Sequence, residues 1–375
     1  VSIRSQIARL PRRFVGVPAA IAACGLLISV GTGSWLFYQM NVINDYVTSD
    51  ESEELWADYE KSFLQYETVK QPSATHIDLK VDLYPHEGRA YFEGTYQLVN
   101  DTGAPVSELH VVFQNGRTEI MNLDIPNSTL TLDEEKQFGY QIYTLDPALA
   151  PDETMQMSFT SERIQSAFST GGEDTRLVKN GTFLNNAEFA PQLGFDRSAL
   201  LQDRATRRKY DLPAELRMPK LEDEAARERN YVGNADWVMA DITVTTRADQ
   251  VPIAPGKLVS DTTEGDRRTV RFQSQNPILA FFSIQSADYV VTSRQHNDIA
   301  MEIYHHPTHD FNAERMLEAM AVSLDYFEAN FGPYQFDYAR VIEFPGYATF
   351  AQAFAGTVPY SERIGFIANT ADKDD

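Results

Sequence analysis

The residues of this chain best suited to chemistry lie in its last third. Glu302-Ile-Tyr-His305-His306-Pro-Thr-His309-Asp310 is the only histidine cluster, with three imidazoles in five residues. Such a set could hold zinc, which favours nitrogen ligands. Pro307 breaks the regularity of the segment, and neither H-E-x-x-H nor C-x-x-C occurs anywhere in the chain. A turn leading into a helix is therefore the preferred reading of the cluster. His76, His86, His110 and His296 are scattered and carry no motif. Further along, Glu343 and Glu362 flank the Gly/Ala/Thr-rich stretch GYATFAQAFAGT, whose small residues let backbone approach a ligand closely. Gln352 there could bond a peptide backbone or terminus, and Phe354 could pack on a side chain. A strand edge in this place would pair with an extended peptide. Either glutamate could equally serve as an ion-pair partner, and the whole stretch could be a plain strand–turn–strand.

Regular elements must position these groups. Before them runs NAERMLEAMAVSLDYFEAN, in which Met316, Leu317, Met320, Leu324 and Phe327 recur at helical spacing. Gly332 and Pro333 stop that helix, and the strand ARVIEF follows. Upstream, from about Thr75, the pattern alternates. In HIDLKVDLY, Ile77, Leu79, Val81 and Leu83 share one face and Asp78, Lys80 and Asp82 the other. AYFEGTYQLV, ELHVVF, MSFT, WVMADITVTT, RTVRFQ, ILAFFSIQ and ADYVVTS continue as short strands, with turn signals between them. They predict an antiparallel, sandwich-like β domain over 73–293, interrupted at 169–230 by STGGED, NGTF and LEDEAARERN.

From Phe14 to Asn44 no residue is charged. As a helix, residues 14–40 would be about 40 Å long, enough to cross a hydrocarbon layer of about 30 Å. Arg4, Arg9, Arg12 and Arg13 precede this segment, and Asp45, Asp50, Glu51, Glu53 and Glu54 follow it. The positive-inside rule then puts residues 1–13 in the cytoplasm and everything from residue 45 onward outside, with Trp35 and Tyr38 at the outer interface. A cleaved signal peptide fits less well because WLFYQM is a poor cleavage site. Ile21-Ala-Ala-Cys24 imitates a lipoprotein box, but the apolar run continues past it. Gly25, Ser29 and Gly33 form a row of small residues against which another membrane helix could pack. Residues 41–72 read as a linker containing an amphipathic helix, with Leu55, Tyr59, Phe63 and Tyr66 on its packing face.

The net charge of −22 argues against nucleic acid and anionic lipid as partners of the soluble part. A single cysteine, Cys24, excludes an intrachain disulfide. No P-loop, Rossmann glycine set or nucleophile elbow is present, so no nucleotide site is expected here. Asn127-Ser-Thr and Asn180-Gly-Thr match the glycosylation triplet and read as turns.

The order of helix, F-G-P-Y, strand, short loop and Y-x-E resembles the aminopeptidase N-like zinc peptidases of the thermolysin-like clan, over about residues 75–375. EFPGYATFAQAFAGTVPYSE is similar to a bacterial subgroup joined to an ABC-type permease. The resemblance implies a mainly β chain with α: one transmembrane helix, a saddle-like β-sandwich domain, and from 294 to 375 the beginning of a thermolysin-like α/β catalytic domain. It implies a peptide groove lined by Ala351, Gln352, Ala353, Phe354 and Glu362, further membrane helices, and a bacterial inner-membrane location with residues 45–375 periplasmic. Aligned on Tyr360-Ser361-Glu362, Ala353 stands where the family's loop carries the Glu that grips a free amino group, which puts exopeptidase specificity in doubt. The H-E-x-x-H and its distant Glu are expected after Asp375. The expectation is thus zinc in the complete protein, with none bound and no hydrolysis by these residues alone. The alternative is an extracytoplasmic module that binds peptides or partner proteins without cleaving them.

Overall fold

The structure is a computed structural model that describes residues 15–43, 46–113, 117–165, 176–214, 220–224, 236–346 and 349–369. The arginines before the apolar segment, Phe14, Asn44, Asp45, the STGGED and AARERN stretches, Tyr347 and Ala348 lie outside the described residues. The chain divides into two compact units, one reaching to Ser52 and the other built from Glu53 onward.

In the first unit, helix α1 (Val17–Tyr38) continues through a wider turn to Ile43. Pro18 suits its first turn, and none of its residues is buried. By length and composition it could cross a membrane.

The second unit is mostly β with some α. Helix α2 (Ser49–Phe63) enters it with Ala57, Tyr59, Glu60 and Phe63 buried. The largest sheet runs β13 (Lys257–Glu264), β14 (Arg267–Gln273), β11 (Trp237–Arg247), β1 (Ser73–Tyr84), β2 (Arg89–Val99), β7 (Thr154–Ile164) and β4 (Thr118–Asp124). Beside β11 lies the short β15 (Ile278–Leu279). A second sheet runs β10 (Gln192–Leu193), β3 (Val106–Val112), β6 (Tyr140–Leu149) and β5 (Ser128–Glu134). The predicted alternation in β1 is reproduced, with Ile77, Leu79, Val81 and Leu83 buried in the main core beside Phe92, Phe159 and Val244. Residues 237–246 and 268–273 form strands as expected. One departure is that β1 pairs with β11 in parallel, so the sheet is not antiparallel throughout.

Other departures have local causes. ILAFFSIQ is not one strand. Ile278–Leu279 pairs with β11, whereas β16 (Ser283–Ala287) joins a third sheet, β12 (Val251–Ile253), β16, β9 (Gly181–Asn185) and β8 (Leu177–Val178). Asn186 holds that break: its Nδ2 donates to the carbonyl of Ala280 at 2.7 Å, and its Oδ1 accepts from Phe282 N–H at 3.0 Å. NGTF, expected within an interruption, supplies the buried strand β9.

The fourth sheet, β17 (Val290–His296), β18 (Ile299–His305), β19 (Tyr338–Phe344) and β20 (Thr357–Ser361), carries the groups of interest. The expected domain boundary at 293/294 falls inside β17. β17 and β18 form an antiparallel pair, and β19 is parallel to both β18 and β20. Between β18 and β19 runs α4 (Ala313–Phe331); a short helix, α3 (Arg204–Lys209), precedes β11. Leu317 is buried, and Met316, Met320 and Leu324 pack beside Met301, Ile303 and Phe366. Phe327 differs from expectation: it stands exposed with Tyr326 and Phe331, one position off the buried stripe.

Candidate functional site

The stretch from Phe350 to Gly356 folds back along the outer edge of β20. Ser361 N–H donates to the carbonyl of Phe350 at 3.0 Å, Gln352 N–H to that of Pro359 at 3.1 Å, and Phe354 N–H to that of Thr357 at 2.8 Å. The reversal needs Gly356, whose φ of +62° is left-handed and whose Cβ would fall 2.4 Å from the Tyr338 ring. Phe350 is anchored on Phe344 (ring centroids 5.1 Å apart), and Phe354 on Phe281 (5.0 Å).

In such antiparallel pairing alternate residues turn their N–H groups away from the partner. Ala351 and Ala353 are those residues. Both are exposed, and among the described residues neither N–H makes a hydrogen bond. Gln352 and Phe354 are half-buried on the opposite face, and Gln352 Nε2 donates to the carbonyl of Ala353 at 3.3 Å. The free strand edge next to β20 is thus the edge of the loop, β20 itself being covered. No carboxylate occurs in the loop, since Ala353 contributes only a methyl group.

Glu362, predicted to share the groove, lies elsewhere. It opens the short helix α5 (Glu362–Gly365), capped by the Ser361 side chain, and its Oε1 accepts from Gly346 N–H at 2.7 Å. A Cβ at Gly346 would meet Glu362 Oε1 at 2.7 Å and Arg363 Nε at 2.5 Å, so a larger residue there would displace those two side chains. The structure therefore brings Ala351, Gln352, Ala353 and Phe354 together and places Glu362 in a separate cleft with His306, His309 and Glu343.

Register explains how that cleft assembles. Tyr304 on β18 is opposite Ile342, so His305 and His306 follow beside Glu343, which itself faces Tyr360 on β20. The buried Glu343 carboxylate accepts from His306 N–H at 2.6 Å through Oε2, and its Oε1 lies 2.5 Å from His309 Nδ1. Tyr289 O–H donates to the Glu343 carbonyl at 2.7 Å. Burial, with the Glu343 charge as a smaller cause, pushes that phenol well above its usual range. His305 is buried and hydrogen-bonds Thr292 Oγ1 at 3.0 Å. The cluster forms the β18–α4 connection, as the turn reading expects, but His309 also belongs to a constellation that no local spacing announces. His309, Glu343 and Glu362 come together only through the parallel sheet.

No protein-family model and no curated relative matches the chain. Among solved structures it is similar to an M1 zinc metallopeptidase from Deinococcus radiodurans. A mutant form of that protein matches with a TM-score of 0.53 at 14% identity, over 78% of this chain and 61% of that one. A second structure of it matches with a TM-score of 0.51 at 12% identity and the same coverage. The likeness is one of fold, and the chain spans about three fifths of that protein's length. The H-E-x-x-H pair of imidazoles that holds zinc in such a fold is not among the residues present.

Proposed function

We propose that this chain forms one wall of a peptide-binding groove in a zinc-peptidase-like protein held at a membrane by α1. The observation that carries this reading is the pair of outward N–H groups on Ala351 and Ala353, on an exposed strand edge with a methyl-only face. An extended peptide would add there as a strand, drawing affinity from backbone hydrogen bonds. The fold shared with an M1 zinc metallopeptidase supports a peptide as the ligand. In the complete protein an H-E-x-x-H zinc would supply the hydrolytic water; these 375 residues would contribute the groove wall and not that catalytic motif. The flanking charges of the apolar segment support a cytoplasmic N-terminus and a periplasmic second unit in a bacterial inner membrane. The similarity of the loop sequence to the permease-linked subgroup supports neighbouring membrane helices and a separate ATPase chain as partners.

The test is binding of fluorescently labelled extended peptides, read by anisotropy. Ala353→Pro removes an N–H that no group uses among the described residues, so it should weaken binding about tenfold while leaving Tm unchanged. Absence of binding, or binding indifferent to Ala353→Pro, sinks the proposal. A second reading, a module that binds without cleaving, is favoured by Ala353 itself, which offers no carboxylate to an amino terminus. Equal affinity for free and N-acetylated peptides would support it.

A further inference from the structure

We propose that His309, Glu343 and Glu362 bind one divalent transition-metal cation, best matched by zinc, at a site unrelated to any H-E-x-x-H centre. Among the described residues these are the only three metal-capable side chains whose ligand atoms all lie within 4.8 Å of one another. Ligands around one zinc sit about 2.0–2.2 Å from it, hence within about 4.4 Å of each other. Closing the remaining gap takes a small rotation of the half-buried His309 and Glu362 side chains.

Charge gives the reason to bind. Glu343 is 5% exposed, and among the described residues no lysine or arginine pairs with either glutamate. Its described partners are a neutral backbone N–H and one imidazole. Arg363, next along the chain, borders Gly346 as Glu362 does but makes no ion pair with Glu362 among the described residues. Two carboxylates held this close in a partly dry cleft repel one another. A divalent cation between them would offset both charges.

The surroundings hold the ligands as a metal site requires. Gly346 N–H fixes Glu362, His306 N–H fixes Glu343, and Tyr289 pins the Glu343 backbone. The cleft has a volume of about 60 Å³, which leaves room for water to complete the coordination. Its rim carries Asp288 and His306, the latter ring 4.9 Å from that of His309. One imidazole with two carboxylates selects transition metals over calcium, which prefers six or more oxygens.

The experiment uses the full 375-residue chain, purified in detergent without a polyhistidine tag, stripped with chelator and titrated with zinc, manganese or calcium chloride. Bound metal is read by equilibrium dialysis with elemental analysis, and stability by Tm. The expected result is about one zinc per chain, a Tm rise that chelator reverses, and no response to calcium. His309→Ala and Glu362→Gln should each weaken zinc at least about tenfold, while His296→Ala, at an exposed pair with Asp325, should not. Should His309→Ala fail to fold, Glu362→Gln with an unaltered circular dichroism spectrum decides. No uptake, or uptake unchanged in Glu362→Gln, overturns the proposal. Peptide binding at Ala353 is read separately, so either proposal can fail alone.

Discussion

At the scale of single residues, His110 shows how burial writes a pH dependence into this protein. Its ring is 1% exposed, with Nδ1 2.8 Å from Tyr140 Oη and the Tyr66 ring 4.9 Å away. Burial holds its pKa below the ordinary value, and the nearby Glu108 charge offsets only part of that. The unfolded chain, titrating near 6.5, then binds more protons than the folded one in the window beneath. Stability from this group is therefore complete above about pH 6.5 and is lost as pH falls towards the depressed folded value. Tm measured from pH 8 to 5 should fall, and His110→Gln should flatten that fall while costing about 1–3 kcal/mol at pH 8 through the hydrogen bond it loosens. Equal slopes in the two proteins would refute it. Nothing in the sequence marked His110, an isolated histidine in ELHVVF. That residues 350–356 leave the strand order as a compact turn was legible because small residues between a strand and Y-x-E stand out. The link of His309 to Glu343 and Glu362 was not, since it depends on parallel register between strands far apart in sequence.

At the scale of elements, α2 is the clearest case. Its stripe of Leu55, Tyr59, Phe63 and Tyr66 is visible in the sequence, and these residues do pack. Their partners are Phe138, Tyr140 and Phe195, from segments without a strand or helix signal. Tyr59 stacks on Phe195 with centroids 5.4 Å apart, and Phe63 on Tyr140 at 4.4 Å. Beside this cluster the buried Glu60 takes both Arg207 nitrogens from α3, at 2.8 and 2.7 Å. Arg207 also donates to the carbonyls of Leu201 and Pro213, so its hydrogen bonds are well used. Breaking such a pair leaves a charge stranded in the interior. Glu60→Ala should cost about 3–5 kcal/mol in urea unfolding, and Glu60→Leu combined with Arg207→Met should cost less than either alone. Additive losses would show that the pair is not coupled. β4 and β5 were not read from the sequence for the opposite reason: β5 buries none of its residues, so no apolar alternation marks it.

At the scale of the molecule, the two units make different demands on solvent. α1 exposes an apolar surface on every side, whereas the second unit has its own core. Thr48 and Glu51 cap α2 reciprocally: Thr48 N–H reaches Glu51 Oε2 at 2.8 Å, and Glu51 N–H reaches Thr48 Oγ1 at 3.3 Å. A chain starting at Val47 keeps that cap. It should stay in the aqueous phase of a detergent partition with an unchanged Tm, while the full chain enters the detergent phase. A truncated chain that aggregates would mean that the second unit depends on the first. The β-rich plan was legible from alternation and turns. The parallel pairing of β1 with β11 was not, because no hairpin turn advertises it.

That pairing has a consequence for biosynthesis. Ala74 N–H bonds Asp236 Oδ2, 162 residues further along the chain. At about 5–20 residues per second, β11 follows β1 from the ribosome by on the order of 10–30 s. Throughout that interval β1 has its hairpin partner β2 but one bare edge, open to any other extended chain. Asp78, Lys80 and Asp82, which alternate with its apolar residues, put charge along that edge. Charge on such an edge disfavours pairing with a stray strand until β11 arrives.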